Sequence, residues 1–466
     1  MDLPADDKPA PPSGSLAQRA WTEIKRWQIR MELVILAISI CDTARIVITP
    51  TLMLRKVRRV YNASEYEDDP ADYDKFYTKQ MVIWEQNYTY VNLPLAIAAT
   101  IFFGAYSDRR GRKLPMIMGL LGMFLGNMFY ILVWWPTTDW AMQWIFLAAV
   151  LNGLTGGFRI ITGSVNAYLS DQFTVKKTLS FRMIITYTIL NIGDFIGSQM
   201  TKRISRQWSE IMAAFIMQGI NIVVLLYVIF IVKPVGTRDE SKQSLTTIAK
   251  DAFYSVWLSA KVVVRPRENY CRCLLLLTFF CALVNRIAFS EEKALIGTYT
   301  KLSPFNWKTR DFADYKSYRP FTQVLGLLFG LLVLKRLLKL RDATVLILAT
   351  ISMGLDSLFI GLAQSSTLIY VSLCAGFLHA LTNPMLYTVY SCLVDANETG
   401  RVYAMDSILH NVGYFFKTAV LQTLYVHTVD WYQGFIWLVL SSMALVSAFV
   451  FGVIHFIAKR YGVGED

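Results

Sequence analysis

Twelve apolar runs, each near the ~20 residues that cross a bilayer, decide what this chain can fold into. They occupy residues 31–54, 89–106, 114–135, 141–165, 178–200, 210–232, 271–296, 318–335, 343–363, 367–391, 402–426 and 434–457. Hydrocarbon offers no partner to a backbone amide or carbonyl, so each run must satisfy its own hydrogen bonds as a helix. Charged residues make up only 17% of the 466 positions, against about 25% in soluble domains. The expected fold class is an all-α membrane protein with twelve transmembrane helices.

The net charge of +12 would by itself admit nucleic acid as a partner. Its distribution argues against that. With the N-terminus inside, most of the Lys and Arg fall in cytoplasmic segments, with the short stretch from Lys202 to Arg206 a local exception. This bias places both termini in the cytoplasm. The basic balance therefore reports topology and contact with anionic membrane lipid.

The runs divide the chain. Residues 1–30 form a Pro-, Ala- and Asp-rich cytoplasmic tail without a signal peptide's apolar core, so the first span reads as a retained anchor. Residues 31–232 and 271–457 each hold six spans, and 458–466 form the second tail. Between them, the 233–270 linker carries apolar positions at helical spacing: Leu245, Ile248, Ala252, Phe253, Val256, Trp257, Ala260, Val263 and Val264. That pattern is an amphipathic helix, suited to lie on the inner leaflet or to pack on the cytoplasmic ends of the spans. The stretch 55–88 reads as a long acidic external loop, with a glycosylation sequon at Asn62. All six cysteines fall in spans or at their cytoplasmic ends, and no disulfide is expected.

Between the second and third runs stands Gly104-Ala105-Tyr106-Ser107-Asp108-Arg109-Arg110-Gly111-Arg112-Lys113. This G-x-x-x-D-R-x-G-R-K spacing resembles the signature loop of the major facilitator superfamily. The resemblance implies a major facilitator fold, with two pseudo-symmetric six-helix domains. It also implies gating roles for Asp108, Arg109, Arg112 and Lys113, and a close helix approach at Gly104. The halves echo each other. Ile189-Leu190-Asn191-Ile192-Gly193 is similar to Ile408-Leu409-His410-Asn411-Val412-Gly413, and a degraded basic loop, Lys335 to Asp342, stands where the signature should repeat.

A charge within a span costs about 2.5–3.5 kcal/mol on insertion scales, so each invites a functional question. Asp42 and Arg45 share one face of the first span by their i, i+3 spacing. Arg159 lies in the fourth span and Arg286 in the seventh. The superfamily resemblance places the first, fourth, seventh and tenth helices around a central cavity. Guanidinium groups suit carboxylate or phosphate, so Arg45, Arg159 and Arg286 are the substrate-binding candidates for a small organic anion. Asp406, His410 and Lys417 share a face of the eleventh span. Asp406, near its cytoplasmic end, reads as a gate or cap, while Asp42, Asp194 and His410 are the candidates for proton coupling. Structural readings stand beside these: Asp42 and Arg45 neutralising each other, Arg159 snorkelling, His410 packing. Gly153, Gly156, Gly157 and Gly163 read as helix-contact residues.

Further features resemble solute carrier family 46, the group of the proton-coupled folate transporter. They are the long first external loop with its sequon, Gly156-Gly157-Phe158, Ala167-Tyr168-Leu169-Ser170-Asp171, and Pro304-Phe305-Asn306-Trp307. Ser391-Cys392-Leu393-Val394-Asp395-Ala396-Asn397-Glu398-Thr399-Gly400-Arg401 completes the set. This resemblance implies proton-driven import of folates or other organic anions, or their export from lysosomes. The chain departs from it in lacking a matching fifth-span glutamate and external cysteines, so folate itself is not assigned.

The expected function is proton-coupled secondary transport of an organic anion, in the plasma membrane in preference to the lysosomal membrane. The alternative is a non-transporting receptor or sensor on the same fold. No nucleophile elbow, metal-ligand cluster or phosphate-cradling loop supports an enzyme, and no cofactor or metal is expected.

Overall fold

The computed structural model describes residues 30–61, 70–172, 176–233, 245–267, 270–395 and 398–461. They form α-helices α1 (Met31–Val60), α2 (Pro70–Arg110), α3 (Lys113–Trp134), α4 (Ile145–Thr155), α5 (Gly157–Gln172), α6 (Lys176–Gln207), α7 (Glu210–Phe230) and α8 (Leu245–Val264). The second half adds α9 (Cys271–Tyr299), α10 (Thr309–Phe329), α11 (Asp342–Gly361), α12 (Ser366–Ala375), α13 (Thr382–Leu393), α14 (Thr399–Lys417), α15 (Thr423–Thr428) and α16 (Phe435–Arg460). Among the described residues, nine helical stretches are long and apolar enough to cross a membrane. Three further long helical runs, α1, α6 and α14–α15, carry charged residues along their length, among them Asp42, Arg45, Asp194, Asp406 and Lys417. The chain is an all-α, multi-pass membrane protein.

Packing follows the halves. In the first, α1 lies against α6 and α7, and α3 against α4, α5 and α7. A buried cluster from Met31 to Val232 fills it. In the second half, α16 packs on α9 and α11, and α14 on α9. Its apolar cluster on the side of the signature loop joins Leu274, Leu275, Phe279, Tyr390 and Phe451. The cluster on the opposite side, around Tyr299, Trp307 and Trp437, also takes in Val47 and Val82 of the first half. Across the halves, α6 meets α10, and α2 meets the short π-helix Thr418–Gln422.

Several boundaries differ from the sequence reading. The 55–88 stretch is largely helix: α1 runs on to Val60 and α2 starts at Pro70. Proline suits a helix start, and Tyr77, Met81 and Tyr88 supply a buried face at helical spacing. Asn62 lies outside the described residues. The fourth-span run is broken, because Gly156 and Gly157 take positive φ, 67° and 48°. Those two glycines therefore interrupt a helix, whereas Gly153 does make the close approach expected of it, against Asn92 and Leu95. Gly104 and Gly163 have no neighbour within 4 Å of where a Cβ would sit, so neither is a helix contact. The tenth-span run is also interrupted, by a 3-10 turn over Phe377–Leu381 between α12 and α13.

The linker forms α8, and its apolar stripe splits. Ile248, Ala252, Val262 and Val263 are buried, whereas Phe253, Trp257 and Val264 are exposed together with Tyr254. The buried face packs on α2, α14 and α9, so α8 bridges the two halves.

Candidate functional site

Several polar residues of the membrane helices join into a network between the halves. It begins on α1, where Arg45 pairs with Asp42 at 3.3 Å. The i, i+3 step brings them together as the sequence implied. The Arg45 guanidinium also lies over the Tyr130 ring of α3, 5.7 Å from its centroid. The Tyr130 hydroxyl donates to Glu85 of α2 at 3.0 Å. Glu85 was not among the sequence candidates because it fell in the stretch read as an external loop. The continuation of apolar and aromatic residues at helical spacing from Tyr77 onward was the available signal.

The network then passes to the second half. Tyr88 of α2 accepts from the Asn152 amide at 3.1 Å and lies within electrostatic reach of Arg45, Glu85 and Arg159. Arg159 stands in the first turn of α5, just beyond the glycine break. Its guanidinium sits over the Tyr414 ring of α14, 5.2 Å from the centroid. Lys417 approaches the same ring at 4.2 Å. A tyrosine of one half thus holds a cation from each half against its π system. His410, one turn earlier on α14, is in electrostatic reach of both Arg159 and Arg286.

The network ends in a tight pair. Arg286 of α9 meets Asp406 of α14 at 2.6 Å, and the Asp406 side chain is 2% exposed. The Tyr390 hydroxyl donates to the same carboxylate at 3.0 Å. Asp406, read from its position along α14 as a gate or cap residue, is here the counter-ion of Arg286. The three arginines are therefore not equivalent. Arg45 and Arg286 hold carboxylates of their own half, while no carboxylate pairs with Arg159 among the described residues.

Asp194 lies on α6. One of its carboxylate oxygens accepts from Ser39 at 2.5 Å and from Thr43 at 2.6 Å. It thereby ties α6 to α1.

The cations of the signature loop sit at one end of the helices. Arg112 holds Asp171 at 2.7 Å, Lys113 donates to the Ile229 carbonyl at 2.7 Å, and Arg109 reaches Asp251 of α8 at 2.8 Å. The Asp108 side chain lies outside the described residues. On the same face, Arg265 and Arg267 at the end of α8 pair with Glu398 at 2.8 and 2.7 Å. Partial burial pushes the Glu398 carboxyl up, but these hydrogen bonds and charges outweigh it and hold it below the usual range. Among the described residues, no group of three or more metal-ligating side chains occurs.

At the opposite end the halves are latched together. Lys202 grips Asp314 at 2.6 Å, and Gln199 donates to Ser317 at 2.8 Å. Glu210 accepts from Arg55 at 2.9 Å and from Thr309 of the other half at 3.0 Å. Lys301 completes the chain, donating to Thr51 at 2.8 Å and to the Trp307 carbonyl at 2.9 Å. Burial lowers the Lys301 ammonium to about 8. Among the described residues the two halves thus meet at this end, through the polar network and, by way of α8, at the signature-loop end.

The model of the Major Facilitator Superfamily matches residues 78–418. The chain belongs to that superfamily. It is 23% identical over 371 residues to a probable peptidoglycan muropeptide transporter of solute carrier family 46 from Drosophila melanogaster, covering 76% of this chain and 68% of the relative. It is 20% identical over 375 residues to the lysosomal proton-coupled steroid conjugate and bile acid symporter of Gallus gallus, covering 80% and 79%. Among solved structures, the human organic anion transporter TETRAN superposes with a TM-score of 0.63 at 15% identity, covering 90% of this chain and 97% of that one. At this identity the likeness shows the fold. The matched proteins are transporters, and the chain is not an enzyme. The preference for the plasma membrane does not stand, because several of these relatives are lysosomal symporters.

Proposed function

We propose that this chain is a secondary carrier of a small organic anion, related to solute carrier family 46, with twelve spans in two six-helix domains. Arg159 carries this reading. It is an intramembrane cation with no carboxylate partner among the described residues, held against an aromatic ring of the other half. An anion bound there would touch both halves, as a substrate must if its binding drives their rocking. Arg45 and Arg286, each already neutralised, frame the site and can offer further donors. The relatives named as proton-coupled support a proton as the driving ion, with His410 and the Asp42 and Glu85 carboxyls beside the anion's place. With the signature loop cytoplasmic, the latch described above faces outward and closes that side. The exposed Phe253, Tyr254 and Trp257 of α8, flanked by Lys250 and Lys261, face the headgroups of the inner leaflet.

Purified protein in proteoliposomes tests this with a panel of organic anions and neutral analogues, with and without an imposed pH gradient. Anion uptake is expected, accelerated by an acidic entry side. Arg159→Gln is expected to lower uptake of the anion at least tenfold more than that of a neutral analogue. Equal loss for both would make Arg159 structural, and binding without flux would favour the receptor reading.

A further inference from the structure

Behind Arg45, among α1, α3 and α7, lies a cavity of about 10 Å³. Its polar walls are Arg45, Asn127, Gln218 and Asn221. Polar groups are unexpected here, because α3 and α7 are among the most apolar helices of the chain. Asn221 is the telling member. Its side chain is 3% exposed, and neither its amide nitrogen nor its carbonyl oxygen has a hydrogen-bond partner within the protein. Leaving a buried donor or acceptor unsatisfied costs about 1–3 kcal/mol each. Gln218 donates its amide nitrogen to the Phe124 carbonyl at 3.1 Å.

The occupant must therefore donate and accept at once, and it must be small. A cavity of this size holds about one water molecule. A metal cation would meet the Arg45 guanidinium. An anion would take the Asn221 amide protons but leave the Asn221 carbonyl oxygen without a donor. Water alone meets both demands. We propose that a single water molecule is a resident ligand of this site, held by Asn221 and shared with Arg45. Asn221 then acts as a positioning residue. The guanidinium already spends one donor on Asp42 and lays its face on Tyr130. The water occupies a donor on its buried side and keeps the remaining donors turned toward the inter-half network. The site stands on its own geometry, whether or not Arg45 contacts substrate.

Radiolytic footprinting of the full chain in nanodiscs, in oxygen-18 water, tests it. A bound water delivers labelled oxygen to side chains that bulk solvent cannot reach. Met217 and Ile131, both lining the cavity and 4% and 6% exposed, are expected to take up label. Asn221→Leu, similar in volume but apolar, is expected to cut that label at least fivefold. Asn221→Ser, which keeps a donor and an acceptor, is expected to retain it. If Asn221→Leu fails to fold, Asn127→Leu and a density map of the wild type replace it. Absence of label in the wild type, or label persisting in both leucine variants, would overturn the proposal. An anomalous bromide peak in the cavity would overturn it in favour of an anion.

Discussion

The Arg286–Asp406 pair shows what a residue's type and position convey and what they withhold. Both residues were visible as intramembrane charges, yet their positions along their helices pointed to separate roles, one in the cavity and one at a gate. Their 120-residue separation hid the contact. In the structure each is the other's charge compensation, and Tyr390 supplies a further donor to the carboxylate. Removing one member of a buried pair typically costs about 3–5 kcal/mol, because the other charge is stranded. Asp406→Ala is therefore expected to lower the thermal midpoint sharply. The double variant Arg286→Met/Asp406→Leu is expected to recover most of that loss. If Asp406 were a surface gate, the single variant would leave the midpoint unchanged. Glu85 was missed for a different reason. A long polar prefix lowers the mean hydropathy of a helix start, although its buried face continues unbroken.

At the scale of elements, hydropathy located the helices well because lipid leaves the backbone no alternative. It could not show where a span breaks. Gly156 and Gly157 looked like contact glycines, but their left-handed backbone ends α4 and launches α5 with Arg159 in its first turn. A side chain at such a position costs about 1–2 kcal/mol. A Cβ on Gly157 would also meet the Asn152 side chain at 2.2 Å. Gly157→Ala is expected to lower stability by at least that amount and to impair anion uptake, while Gly163→Ala, with open space around it, is expected to be neutral in both assays. The linker helix offers a pH test. A carboxyl held below its ordinary value stabilises docking above the unfolded pKa of about 4.3 and loses that contribution as pH falls through the lowered value. Hydrogen-exchange protection of 245–264, corrected for intrinsic rates, should therefore be flat from pH 7 to 5 and fall only below about 4. Glu398→Gln should show the weaker protection already at pH 7. A decline beginning at pH 6 in the wild type would exclude Glu398 as the anchor.

For the molecule as a whole, the multi-pass all-α character and the superfamily's signature loop were legible, because apolar runs and basic loops are local signals. The latch that closes one end was not, since its partners across the halves lie 99 to 250 residues apart. Lys301 gives that latch a measurable signature. Opened to water, its ammonium would titrate near 10.4; closed against Thr51 and the Trp307 carbonyl, it titrates near 8. Below pH 8 the lysine is charged in both states, and the closed state bears the full cost of burying that charge. As pH rises from about 8 toward 10, the closed state sheds its proton first, so closure is favoured progressively. Spin labels on the two halves at this end should report a larger closed population at pH 9.5 than at pH 7. Lys301→Met should abolish the difference, because no proton remains to be released. Glu210→Gln should weaken the Arg55 and Thr309 contacts and raise the open population at both pH values, while leaving the pH dependence in place. A closed population that falls between pH 7 and 9.5 in the wild type would mean that another group governs this end of the carrier.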